Sequence, residues 1–211
     1  LIIMKSIIDL VYLVPLFPLI GFLINGLGRN YLSKSLSGII GSAAVLASFI
    51  VSVLIFNETR VEAFTATTVN LFEFINVAGL NIPFAFQVDQ LSALFLLVIT
   101  GVGFLIHLYS TSYMHEEASH HFARYFAYLN LFVFSMLLLV LGANYLIMFI
   151  GWEGVGLCSY LLIGYWFKNN EYGNAARKAF VMNRIGDLGF LLGLFFIIQQ
   201  FGSLTYTEVF T

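Results

Sequence analysis

Glu153, Arg184, Asp187 and Lys178 are the side chains of this sequence whose placement could do chemistry, and the chemistry they suit is the movement of protons. Glu153 lies in Gly151-Trp152-Glu153-Gly154-Val155-Gly156, and Arg184 and Asp187 lie in Asn183-Arg184-Ile185-Gly186-Asp187. Both motifs interrupt apolar runs, residues 144–168 and 175–200, long enough at about 1.5 Å per residue to cross a hydrocarbon core about 30 Å thick. A charge near the middle of a bilayer costs roughly 2.5–3.5 kcal/mol on insertion scales, so such residues face a bundle interior and serve ion or proton pathways. Glu153 falls about 14 Å down its run from the outer end, and Asp187 about 17 Å up its own from the inner end.

Arg184 and Asp187 are three residues apart on one helix face and can pair. Glu153 has no partner on its own helix. Desolvation disfavours its charged form, so it would hold a proton until a positive group approached, as a relay requires. The alternative is a structural ion network that fixes helix packing. Gly151, Gly154 and Gly156 allow close approach of another helix, and Gly189 with Gly193 forms a small-residue face. Trp152, Trp166 and most phenylalanines read as lipid-facing or interfacial aromatics. Lys178 follows Arg177 at the inner end of its run, where it either snorkels to the interface or serves proton entry.

The elements that must position these residues are membrane spans. The sequence is 60% apolar and 9% charged with mean hydropathy +0.94, against about 25% charged residues in an ordinary soluble domain. That balance excludes a soluble enzyme. The net charge of −2 indicates neither a nucleic-acid partner nor a polybasic anchor. Cys158 is the only cysteine, so no internal disulfide or cysteine-held cluster is expected. The glycines of 151–156 lack the spacing of a dinucleotide loop. No redox cofactor, cofactor-binding residue or metal ligand is therefore assigned to this chain.

Taken in order, the expected architecture is an all-α polytopic bundle of about six spans, 10–28, 37–56, 90–109, 123–141, 144–168 and 175–200. The start shows no signal peptide. Between the second and third spans, residues 69–88 alternate around Ala78-Gly79-Leu80-Asn81 and predict a β-hairpin lying on the outer membrane surface. Asn57-Glu58-Thr59 fits a glycosylation sequon and is read as a chance match. His115, Glu116, Glu117, His120 and His121 are read as a solvated interfacial loop rather than a metal site, because only part of the ligand spacing is met. Lysine and arginine concentrate in the loops after spans one, three and five, which places those loops inside and the hairpin outside.

The run from Gly151 to Trp166 and the motif from Ala175 to Asp187 resemble the large antiporter-like subunit of respiratory complex I, the subunit L or chain 5 family of NADH-quinone oxidoreductases. Phe122 to Leu131, Val88-Asp89-Gln90-Leu91-Ser92 and Gly202-Ser203-Leu204 are also similar to that family. The resemblance implies a subunit that moves protons while NADH, flavin, iron-sulfur clusters and quinone are handled by partner subunits. Its partners would be the other membrane subunits, above all the neighbouring antiporter-like one, and the lipid bilayer. Glu153 matches the family's fifth-helix glutamate, and Arg184 with Asp187 its sixth-helix charged pair. The family's partner lysine sits on a seventh helix beyond Thr211, so the chain is expected to be one membrane domain from the N-terminal part of a longer subunit. The expected location is a bacterial cytoplasmic membrane, with the mitochondrial inner membrane as alternative. A cation/proton antiporter subunit and a non-transporting membrane scaffold are the rival readings.

Overall fold

Pro18 lies inside the first long helix and shows how this chain satisfies its backbone. The computed structural model describes residues 6–61, 64–77 and 80–210, and α1 spans Leu13–Leu27 after a 3-10 turn at Ile7–Leu10. Proline has no N–H, so the carbonyl of Val14 one turn earlier loses its helical donor. The Ser48 hydroxyl of α2 (Lys34–Thr59) donates to that carbonyl at 2.5 Å. In lipid an unsatisfied carbonyl costs several kcal/mol, so this one serine fixes how α1 and α2 face each other.

The remaining elements start and stop where the sequence supplies caps. α3 (Gln90–Tyr113) opens on a reciprocal capping box in which Ser92 N–H donates to Asp89 at 2.6 Å and the Ser92 hydroxyl accepts from Asp89 N–H at 2.8 Å. α4 (Ser119–Leu141) runs back and ends at Gly142. α5 (Tyr145–Ile163) is capped by Asn144, and α6 (Asn170–Phe201) by Asn169. α6 closes on Gly202 at φ +70°, the left-handed cap that glycine adopts without cost. A short α7 (Tyr206–Val209) follows.

Among the described residues six helical segments are long and apolar enough to cross a membrane, so the expected bundle is present. The second, third and fourth spans extend three or four residues past their expected bounds at one end or both, and two boundaries differ by five. The fifth span stops at Ile163 rather than at 168, because the Gly164 N–H closes the helix onto Tyr160 O and Trp166 and Phe167 turn back toward α4. The sixth begins at Asn170, five residues before its apolar run, which puts Asp187 about 25 Å from the helix start.

α4 is the hub of the bundle, packing against α1, α2, α3 and α5, while α6 lies along α5. The core between α2, α3 and α4, continuous with Phe86 and Val88 of the hairpin, holds Val45, Ile55, Leu96, Leu137 and Leu141. A second cluster joins Met114, Phe122, Phe126 and Tyr165 at the opposite end.

The hairpin is β1 (Thr67–Val77) paired antiparallel with β2 (Leu80–Val88), with irregularities after Asn70 and Glu73. Its turn at Ala78-Gly79 lies outside the described residues. The hairpin does not merely rest on a surface. β2 buries Ile82, Ala85, Phe86 and Val88, and Ala143 N–H donates to Ala85 O at 3.1 Å. Asn144 then binds three partners. Its side-chain amide donates to Pro83 O at 2.8 Å, its side-chain oxygen accepts from Ile147 N–H at 2.9 Å, and its backbone bridges to Thr205. Asn57-Glu58-Thr59 is the last turn of α2, with Thr59 buried and its hydroxyl on Phe56 O.

Candidate proton-relay site

α5 and α6 run antiparallel, and their facing sides carry the charges. Gly151 lets α5 approach α4, since a Cβ there would meet Leu139 Cα at 2.7 Å, and at Gly154 a Cβ would meet Ser135 Cβ at 2.9 Å. That close contact holds one side of α5 against α4. Glu153 and Trp152 are left for α6.

Arg184 reaches across from α6 and forms an ion pair with Glu153 through Nη1 and Oε2. The same Nη1 lies 3.7 Å from Asp187 Oδ2. The expectation that Glu153 lacks a nearby cation is therefore corrected: its partner comes from the neighbouring helix, which spacing along one helix cannot reveal. Asp187 is 5% exposed, and its Oδ1 accepts from Trp152 Nε1 at 2.9 Å. Trp152, expected to face lipid, is half exposed and half committed to the charged group, with Phe190 stacked beside it at 6.3 Å. The Arg184 guanidinium also lies over the Phe180 ring at 4.5 Å, and its Nε is buried with no hydrogen-bond partner.

Two carboxylates and one guanidinium sum to one negative charge. In a low-dielectric interior that charge calls for a proton or a second cation, because a buried unpaired charge is costly. The arrangement can therefore exchange one proton by letting Arg184 favour one carboxylate or the other.

Lys178 is not part of this cluster. It is exposed on α6, six residues and about 9 Å from Arg184 on a different helix face. Gly189 and Gly193 meet nothing within 4 Å among the described residues. In the interfacial loop His120 and His121 lie with ring centroids 4.1 Å apart and tilted by 40°, while Glu117 accepts from Trp166 Nε1 at 2.8 Å.

A second buried polar group escaped the sequence reading. His107 on α3 is 1% exposed, and its Nδ1 is 2.7 Å from Gly103 O while its Nε2 faces Asn130 Nδ2 at 3.3 Å. Asn130 on α4 also donates to Phe126 O at 2.9 Å, and its Oδ1 is buried without a partner. Asn25 on α1 pairs with Ser37 on α2 close by. Each is a single polar residue in an apolar run, and that was the signal available.

At the end of the bundle that carries the basic loops, Arg124 binds the α5–α6 connection. Its Nη2 donates to Tyr165 O at 3.2 Å, and the guanidinium lies between the Tyr165 and Phe167 rings at 4.9 and 5.0 Å. The Tyr165 hydroxyl donates to His121 O at 2.7 Å. Burial pushes the Tyr165 phenol up to about 12.

These features define a polytopic helical membrane domain with charged side chains inside its spans, and solved structures share its fold. In fold the chain is similar to a subunit of the membrane-bound sulfane sulfur reductase, an archaeal respiratory membrane complex, with TM-score 0.82 over 95% of this chain and 39% of that one at 20% identity. It is also similar to a chain of the Mrp complex from Dietzia sp. DQ12-45-1b, with TM-score 0.72 over 93% of this chain and 20% of that one at 22% identity.

Sequence is more specific. Residues 74–126 match the family model of NADH-ubiquinone oxidoreductase (complex I) chain 5 N-terminus, and residues 142–211 that of the NADH:quinone oxidoreductase/Mrp antiporter transmembrane region. The chain belongs to the family of NADH-quinone oxidoreductase subunit L and its counterpart, chain 5. It is 43% identical to subunit L of Pseudomonas aeruginosa over 95% of this chain and 33% of the relative. It is 40% identical to that of Escherichia coli over 95% and 32%, and 42% identical to chain 5 of Metridium senile over 94% and 32%. The chain spans about a third of the length of the curated relatives it matches.

Proposed function

We propose that this chain is part of the proton-translocating membrane arm of an NADH:quinone oxidoreductase, coupling electron transfer from NADH to quinone to proton movement. Glu153 accepts and releases the proton. Arg184 stabilises whichever carboxylate is ionised, and Asp187, held by Trp152, is the second carboxylate. Lys178, exposed in the third turn of α6 beside Arg177, serves proton entry or else snorkels to the interface. NADH, flavin, iron-sulfur clusters and quinone belong to partner subunits, and the nearest partner is the neighbouring antiporter-like subunit. A bacterial cytoplasmic membrane is the location we assign, with the hairpin outside.

One observation carries this reading: a single guanidinium serves carboxylates on two helices inside the spans, which leaves one negative charge to be neutralised. A scaffold needs only a balanced pair. The test is Glu153→Gln in the full-length subunit within its complex, followed in proteoliposomes by NADH oxidation and acidification together. Fewer protons pumped per NADH in a fully assembled complex is the expected result. Lost assembly, with normal pumping per electron in the residue that assembles, would mean that the charges only hold helices together.

A further inference from the structure

Beside Arg124, at the basic end of the bundle, the structure contains a site that the proton pathway does not use. A pocket of about 390 Å³ lies between the start of α4 and the α5–α6 connection, within the range of small-ligand sites. Its lining includes Arg124, Lys168, His121, Trp166 and Tyr172, with Glu117 at the rim. Glu117 is engaged by Trp166 Nε1. Among the described residues Arg124 and Lys168 form no ion pair, the salt bridges there being those of Arg184.

Arg124 is prepared for an anion. A guanidinium offers five N–H groups in a planar fork. One of them donates to Tyr165 O, and Nε is buried with no hydrogen-bond partner. The Tyr165 and Phe167 rings both lie against the guanidinium, so less side-chain freedom is lost when a ligand binds. A second cavity of about 180 Å³ adjoins Arg124 and runs between Tyr128, Tyr160, Leu161 and Ala176 into the helix bundle.

We propose that this pocket binds the headgroup phosphate of an anionic phospholipid of the inner leaflet. Arg124 and Lys168 hold the phosphate oxygens, and Trp166 and Tyr172 sit at the headgroup level, where such aromatics concentrate. The acyl chains stay in the surrounding bilayer. Basic pockets between transmembrane helices on the inner side recognise lipid headgroups by this combination of charge and depth. The lipid would staple the α4 start to the α5–α6 connection. The inference rests on the bundle crossing a membrane and not on Glu153 carrying a proton.

The experiment uses the full complex reconstituted in phosphatidylcholine containing a trace of photoreactive phosphatidylglycerol, with photoreactive phosphatidylcholine as the comparison. Cross-linked peptides are mapped by mass spectrometry. The glycerol lipid should label residues 117–128 and 160–172 well above the choline lipid. Arg124→Gln should lower that labelling about tenfold, as expected for losing a charge-assisted contact. Lys168→Glu, at an exposed position that folding does not need, should lower it as well. Equal labelling by both lipids, no labelling of these segments, or labelling indifferent to Lys168→Glu would overturn the proposal. Labelling abolished by excess inorganic phosphate would show a soluble-anion site and overturn the lipid assignment. None of these readouts depends on pumping.

Discussion

Arg184 binds Glu153 across the α5–α6 interface while lying 3.7 Å from Asp187 on its own helix. The guanidinium is thus shared, and the two carboxylates are coupled through it. Replacing Arg184 by methionine leaves the buried Asp187 and the partly exposed Glu153 without their shared cation, and an uncompensated carboxylate among apolar helices is costly. Arg184→Met alone should therefore lower the thermal stability of the assembled complex strongly. Adding Glu153→Gln should restore much of it, giving an interaction energy of about 0.5–3 kcal/mol in a double-mutant cycle. Additive losses would mean that the two side chains do not share one charge.

Trp152 ties Asp187 in place from the other helix. Trp152→Phe keeps an aromatic ring for Phe190 and removes the N–H donor together with the five-membered half of the indole. A hydrogen bond to a charged group contributes about 1.5–3 kcal/mol, so the variant should unfold at lower temperature by scanning fluorimetry. Asp187→Asn should suppress most of the further loss when combined with it, because the acceptor is then neutral.

Gly151 sets the α4–α5 spacing through its contact with Leu139. Gly151→Ala puts a methyl group where backbone already sits, and overpacking of this kind costs about 1–3 kcal/mol. The predicted readout is a lower melting temperature together with weaker pumping, because Glu153 two residues away is displaced from Arg184.

Tyr165 has its phenol raised from 10.0 to about 12 by burial. A folded-state value above the unfolded one means that the neutral phenol contributes stability fully below pH 10, and that this contribution is lost as pH rises through 12. The tyrosinate absorbance of wild type minus Tyr165→Phe should therefore titrate near 12. A difference spectrum titrating near 10 would show that the phenol is not buried in the assembled protein.

Much of this was legible in the sequence, for physical reasons. Runs of lipid-soluble residues must be helices, because every backbone group has to be satisfied within the segment, so the six spans could be read to within a few residues. The hairpin followed from alternation on either side of a Gly/Asn turn. What failed was pairing between helices: spacing placed Arg184 beside Asp187 and could not place it against Glu153, a contact made through space. The helix ends at Ile163 and Asn170 were set by glycine and asparagine caps rather than by hydropathy. His107 and Asn130 were visible as lone polar residues, but their meeting needs α3 and α4 side by side.

Asn144 and its neighbours give the charged site a mechanical boundary. The backbone of Asn144 pairs with Thr205, and Tyr145 N–H donates to Leu204 O at 3.1 Å. At the opposite end the α5–α6 connection is clamped by Arg124 and Tyr165. The two helices thus form a closed ring, fastened at both ends. For α6 to ratchet past α5 by one turn, about 5.4 Å, both fastenings would have to open. Under the proposed relay, exchange between Glu153 and Asp187 would be carried by the swing of the Arg184 side chain rather than by a shift of one helix along the other.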